Sequence, residues 1–217
     1  MNNRTKSASI IGVFSAFAFV LSLLGNLIPI NFAGFLNYDP KDVLIVIAGF
    51  MLGPIYALAI SVITAFIEMI TISQTGFIGL FMNIISSVAF ACIASLIYKK
   101  IRSIRGAVLG LVISSLITTA LMLLWNYITV PLYMVGVTRA QVADMLLPVF
   151  LPFNLIKCTL NSSIAMLLYK PLSRAIRRAR LVPSEQEEER GGKFNPLVFG
   201  ISIFIAISAV FLLIILR

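Results

Sequence analysis

The chain of 217 residues is 60% hydrophobic and only 12% charged, carries a net charge of +9 and contains no histidine. That much apolar material exceeds what one soluble core of this size can use, and the missing imidazole removes the commonest general base and metal ligand. The positive charge is no nucleic-acid footprint, because the basic residues cluster between apolar runs long enough to cross a bilayer, the pattern of an all-α polytopic membrane protein.

In chain order, the first apolar run, 10–30, follows Arg4 and Lys6 and lacks a small-residue cleavage site at its end. It is read as a retained helix over 7–27, stopped by Pro29. Small residues recur on it at Ala8, Gly12 and Ala16, a spacing that admits another helix backbone, although such residues are common in membrane helices generally. The segment 31–42 follows and ends Asn37-Tyr38-Asp39-Pro40-Lys41-Asp42. Asp39 ahead of Pro40, with Asp42 in the first turn, reads as a helix start, so both acids are capping residues first and ligand contacts second.

Residues 43–72 form one apolar stretch interrupted by Gly53-Pro54. If two helices turn there, the two basic residues at the start, the four at 99–105 and the seven at 170–193 share one side of the membrane, 13 of the 17 Lys and Arg. A single helix would split them, so the basic-side rule favours the hairpin. Residues 43–52 are too short to span, and 31–42 is therefore expected to dip into the protein, where irregular backbone is tolerated at membrane depth.

The third span, 55–72, carries Glu68, which either pairs with a cation, meets a ligand or lies near the outer surface. The fourth, 77–98, includes Asn83. The fifth, 106–127, ends Leu124-Trp125-Asn126-Tyr127, and an outer loop is expected from Val130-Pro131-Leu132-Tyr133 through Arg139 to Asp144. Trp125 and its tyrosines fit an interfacial belt, whereas Asn126 is an amide that needs partners if buried. Cys92 and Cys158 fall inside predicted spans, which argues against a disulfide framework.

The sixth span, 148–168, holds the most informative stretch, Leu151-Pro152-Phe153-Asn154-Leu155-Ile156-Lys157. Asn154, Lys157 and Asn161 stand at i, i+3 and i+7, one helix face that should look inward. An ammonium deep in an apolar run either meets a ligand or buried partner, or snorkels to an interface. A basic tail and the charged linker 181–196 follow, and a seventh, uncharged run at 197–216 is expected to be a lipid-facing accessory helix. The chain thus divides into a membrane domain 1–180, a linker and an accessory helix 197–217.

Catalytic signatures fail to appear: there is no phosphate loop, no His-based metalloprotease helix and no Gly-x-Ser-x-Gly elbow. An enzyme is the weaker reading, with no metal and no cofactor expected. A stand-alone secondary carrier should show internal repeats and ion-coupling acids, of which only Glu68 is visible. What remains are polar groups on the outer half: Asp39, Asp42, Glu68, Trp125, Asn126, Tyr133, Asn154 and Lys157. Amides, one amine and aromatics suit a neutral heteroaromatic solute.

The run Asn37 to Asp42 leading to Gly49-Phe50-Met51-Leu52-Gly53-Pro54, Trp125-Asn126-Tyr127 with Pro131-Leu132-Tyr133, and the Pro-Phe-Asn-x-x-Lys segment at 152–157 resemble the substrate-binding (S) components of energy-coupling factor (ECF) vitamin transporters. Within that family the riboflavin-binding members are most similar. The resemblance covers about 7–180 and implies a six-helix bundle, to which the seventh run adds an extra C-terminal transmembrane helix. It also implies a vitamin site capped by the first loop and a bacterial plasma-membrane protein with a cytoplasmic N-terminus. Riboflavin would be the transported substrate, another vitamin being the alternative, and the partners a transmembrane coupling subunit and two ATPases. The family's isoalloxazine-binding groups map onto Asn126, Asn154 and Lys157, and its docking stripe onto Ala8, Gly12 and Ala16.

Overall fold

In a computed structural model the chain is described over residues 3–27, 31–33, 35–178 and 196–215. The first helix, α1, is Asn3–Leu27. A two-stranded antiparallel hairpin follows, β1 Asn31–Phe32 and β2 Leu36–Asn37. Helices α2 Lys41–Leu52 and α3 Pro54–Thr71 come next, then α4 Gly76–Lys100 and α5 Ile104–Tyr133. A short α6, Arg139–Met145, runs through a π-helical turn, Leu146–Phe150, into α7, Leu151–Arg178, and α8 is Pro196–Ile215. Five of the described helices are long and apolar enough to cross a membrane.

The apolar stretch 43–72 does break into two helices. Gly53 sits at φ +110 and ψ 169, backbone that only glycine adopts at ordinary cost, and Pro54 then occupies the first turn of α3, where its missing N–H costs nothing. The short α2 is the centre of the molecule. It packs against α1, α3, α4 and α7, and Val43, Ile45, Val46, Ile47, Ala48 and Phe50 are buried.

The three basic groups that the charge argument placed together share one end as far as the described residues reach. Ser7 at the start of α1 bonds the Tyr56 hydroxyl near the start of α3, at 2.9 Å. Phe50 from the end of α2 stacks within 4.7 Å of Tyr98 near the end of α4 and 6.1 Å of Tyr169 on the second half of α7. Lys6, the loop 99–105 and the basic end of α7 therefore share one end of the bundle. The opposite end carries the hairpin, which does dip into the protein: Phe32 and Tyr38 are buried against Phe153, Ile156 and Leu160 of α7.

Three expectations need correction. Val130 to Tyr133 is not loop but the last turn of α5, and Arg139 onward is helical, started by a Thr138–Gln141 capping box. Asp39 does not occupy the cap position of α2. Pro40 does, while Asp39 accepts the Lys41 N–H from one residue further out, at 3.1 Å. The accessory helix is not wholly lipid-facing, for Ala206 and Ala209 pack on the α7 cluster while Phe204, Ile207 and Phe211 point away. The linker 181–195 lies outside the described residues.

The π-helical turn has a local cause. Pro148 and Pro152 each remove a backbone donor, so the regular i to i−4 ladder cannot be kept across them and the helix widens by one residue. That widening lies one turn before Asn154 and sets the rotation at which the Asn154–Lys157–Asn161 face enters the bundle.

Candidate functional site

The hairpin end of the bundle holds a buried polar network that begins with a residue the sequence analysis did not single out. Lys41 is 1% exposed. Its Nζ lies 2.6 Å from Asp39 Oδ2 and 2.6 Å from Glu68 Oε2. An unpaired ammonium could not stay charged at such burial, and two carboxylates at hydrogen-bond distance are the compensation it requires. Asn83 Nδ2 of α4 donates to the same Glu68 oxygen at 2.8 Å, and Ser22 of α1 donates to Asp39 Oδ2 at 3.3 Å.

Asp42, one residue on, serves α4 and α7 instead. Its Oδ1 accepts from the Ser87 hydroxyl, and its Oδ2 faces Lys157 Nζ at 3.6 Å, an ion pair too long to be a hydrogen bond. Lys157 therefore has a buried partner and is not a snorkelling residue. Asn161 ties the hairpin to the same helix: Tyr38 donates its hydroxyl proton to Asn161 Oδ1 at 2.6 Å, and Asn161 Nδ2 reaches the Asp39 carbonyl at 3.4 Å. The α7 face read from spacing looks inward, with Asn154 and Asn161 buried and Lys157 largely so.

The charges decide one another's state. Burial alone would raise the Asp39 carboxyl, but the ammonium of Lys41, and after it that of Lys157, outweighs burial and holds it below the usual carboxylate range. Burial, then the negative charges of Asp39 and Asp42, push the Tyr38 phenol upward, so it remains a proton donor to Asn161.

The remaining expected residues make no hydrogen bond into this network among the described residues. Asn126 and Asn154 are buried, and each amide donates at 2.8 Å to the carbonyl four residues earlier on its own helix, Met122 and Phe150. Among the described residues, the buried Trp125 Nε1 donor has no acceptor and the buried Glu68 Oε1 of the network has no donor. Such orphaned atoms are costly unless water or a ligand meets them. Tyr133 is half-buried against Val130, Val142 and Phe150. Ala8, Gly12 and Ala16 lie on the exposed face of α1, while Ile10, Phe14 and Ala18 face the core.

Lys41 was missed because it reads as a solvated residue at a helix start. One signal was there to see, since a cation in the first turn opposes the helix dipole and so asks for local carboxylates.

Known proteins similar to this chain are of one kind. A family model described as "ECF transporter, substrate-specific component" matches residues 6–169. The riboflavin transporter RibU of Staphylococcus aureus is 29% identical over 173 residues, which are 77% of this chain and 90% of that protein. The riboflavin transporter FmnP of Bacillus subtilis is 27% identical over 185 residues, 82% of this chain and 97% of that one. A solved S component of a bacterial ECF transporter superposes with a TM-score of 0.66 at 29% identity, covering 81% of this chain and all of that structure.

Proposed function

The chain belongs to the ECF transporter substrate-specific components, a family of membrane transporter subunits and not of enzymes, and from that premise we propose that it captures riboflavin at the hairpin end and delivers it to the basic end. Release is driven by partners, a transmembrane coupling subunit served by two ATPases. The setting is a bacterial plasma membrane, with the N-terminus and the basic end in the cytoplasm, the side on which Lys and Arg accumulate.

The observation that carries this reading is the inward face of α7. Asn154, Lys157 and Asn161 lie along it, and the hairpin packs on the same helix through Phe32 against Phe153, ring centroids 5.7 Å apart. A flavin's pyrimidine edge presents carbonyl acceptors and a ring N–H. An asparagine matches both, an ammonium serves the carbonyl or a ring nitrogen, and the Trp125 indole N–H, without an acceptor among the described residues, adds a donor beside Asn126. The names of the two relatives favour the same ligand.

The exposed stripe of Ala8, Gly12 and Ala16 is assigned to docking of the coupling subunit. Among the described residues nothing within 4 Å would meet a Cβ at Gly12, so its small size serves no packing there.

Purification followed by titration with riboflavin tests the proposal. Saturable quenching of flavin fluorescence at one flavin per chain is expected. No quenching, with saturable binding of a different vitamin, would move the chain to another specificity, and uptake without any coupling module would make it a stand-alone carrier.

A further inference from the structure

Burying Lys41 between two carboxylates is an odd way to stabilise a helix whose other buried side chains are mostly apolar. Apolar residues of similar volume in place of a buried ion pair are often neutral or stabilising, so such a pair is weak as a stability device and better suited to fixing one arrangement among several. The arrangement here is specific. Asp39 belongs to the strand-to-helix connection that carries the hairpin, Glu68 belongs to α3, and Lys41 Nζ touches both at 2.6 Å. Its backbone N–H holds Asp39 a second time. On the far side of the same connection, Tyr38 and the Asp39 carbonyl are held by Asn161 of α7.

The hairpin is thus tied down at its exit from two directions, while the start of its second strand rests on apolar contacts: Phe35 lies against Phe150, 6.0 Å between ring centroids, and Leu36 packs on the cluster at the end of α5. Apolar contacts of that kind slide and reform readily. Two charge-assisted bonds to one buried ammonium do not, because separating either strands a charge in low dielectric.

We propose that Lys41 is a positioning residue for substrate retention: its ammonium, clamped between Asp39 and Glu68, holds the hairpin over the α5–α7 end of the bundle, and the cover lifts only when those ion pairs part. Lys41 touches no substrate in this account. It acts through Asp39, and Asn83 keeps the Glu68 carboxylate aimed at it. The proposal rests on the riboflavin reading for its ligand but not for its geometry.

The test uses the full-length protein in detergent with three variants, Lys41→Met, Lys41→Arg and the double variant Lys41→Met with Glu68→Met. Stopped-flow quenching gives flavin association and dissociation rates, hydrogen exchange reports on residues 35–40, and melting is followed without ligand. Lys41→Met should speed dissociation by about tenfold or more, the equivalent of one charge-assisted bond, with association altered less than about threefold. Exchange at 35–40 should rise while α5 and α7 keep their protection, and Lys41→Arg should restore most of both. The double variant should regain part of the melting temperature, because Glu68 is no longer stranded while Asp39 still is, yet keep fast dissociation and an exchanging hairpin. Recovery of slow dissociation in the double variant, or exchange raised evenly along the chain, would overturn the proposal and leave Lys41 a packing residue. Should Lys41→Met not fold, the double variant and Asp39→Leu, which removes the acceptors of the hairpin arm and leaves Glu68 to Lys41, carry the same comparison. Should the unsubstituted protein bind no flavin, the substrate assignment falls, and hydrogen exchange by itself decides the role of Lys41.

Discussion

Lys157 shows how one side chain can hold a structural and a binding duty together. Its ammonium faces buried Asp42 at 3.6 Å, a distance that leaves its hydrogen-bonding directions free for a ligand carbonyl. Lys157→Met keeps the stem and deletes the charge, and a lost charge-assisted bond is worth on the order of 1.5–3 kcal/mol, roughly 10- to 150-fold in flavin affinity. The same change leaves the Asp42 side chain, among the described residues, with the Ser87 hydroxyl and no cation in contact, so Lys157→Met should also melt at a lower temperature. Adding Asp42→Asn removes the stranded carboxylate and should recover the melting temperature without recovering affinity. Fluorescence titration beside thermal melting separates the two duties, and full affinity in Lys157→Met would remove the amine from the site. Asn154→Leu should weaken binding to a similar degree, with the hydrogen bond that its amide donates to the Phe150 carbonyl lost as well.

At the scale of elements, the turn between α2 and α3 and the outer face of α1 each make a prediction. Gly53 has open space around its missing Cβ but a backbone at φ +110, so Gly53→Ala introduces strain without a clash. It should cost about 1–3 kcal/mol, seen as a lower melting temperature with flavin affinity nearly unchanged. The α1 stripe makes the converse prediction. Gly12→Leu and Ala16→Leu project into the space outside the bundle, where a bulky side chain holds a partner helix away. Both should bind flavin as the parent does and lose uptake in cells that contain the coupling module. Normal uptake in both would return the stripe to ordinary membrane-helix composition.

For the molecule as a whole, the basic segments at Lys6, 99–105 and the end of α7 lie at the end opposite the polar network, which gives the bundle a direction across the membrane. The proposed orientation puts the loop 99–105 inside and the fully exposed Val135, between α5 and α6, outside. Single cysteines at Lys100 and Val135, in a chain whose own Cys92 and Cys158 are half-buried and buried, can be challenged with an impermeant maleimide. Val135→Cys should react in intact cells and Lys100→Cys only after permeabilisation. The reverse pattern would invert the topology and place the hairpin end in the cytoplasm.

Composition and charge placement by themselves determined the helical membrane class, the break at Gly53-Pro54 and the common end of the basic segments, because hydrophobic length and basic-side bias act residue by residue along the chain. The spacing of Asn154, Lys157 and Asn161 likewise determined a shared inward face, since helix geometry is local. The Asn154–Lys157 motif also carried the family resemblance. Partners across the bundle were beyond that reach. Asp39, Asp42 and Glu68 read as caps or lone acids, and only packing α2 among α1, α3, α4 and α7 brought Lys41 between two of them and Asp42 to Lys157. The extension of α5 through Pro131 was likewise decided in three dimensions, where Val130 is buried against Val142 and Phe150. Burial is what turns a charge into a demand for a particular partner, and burial at any position depends on every other helix in the fold.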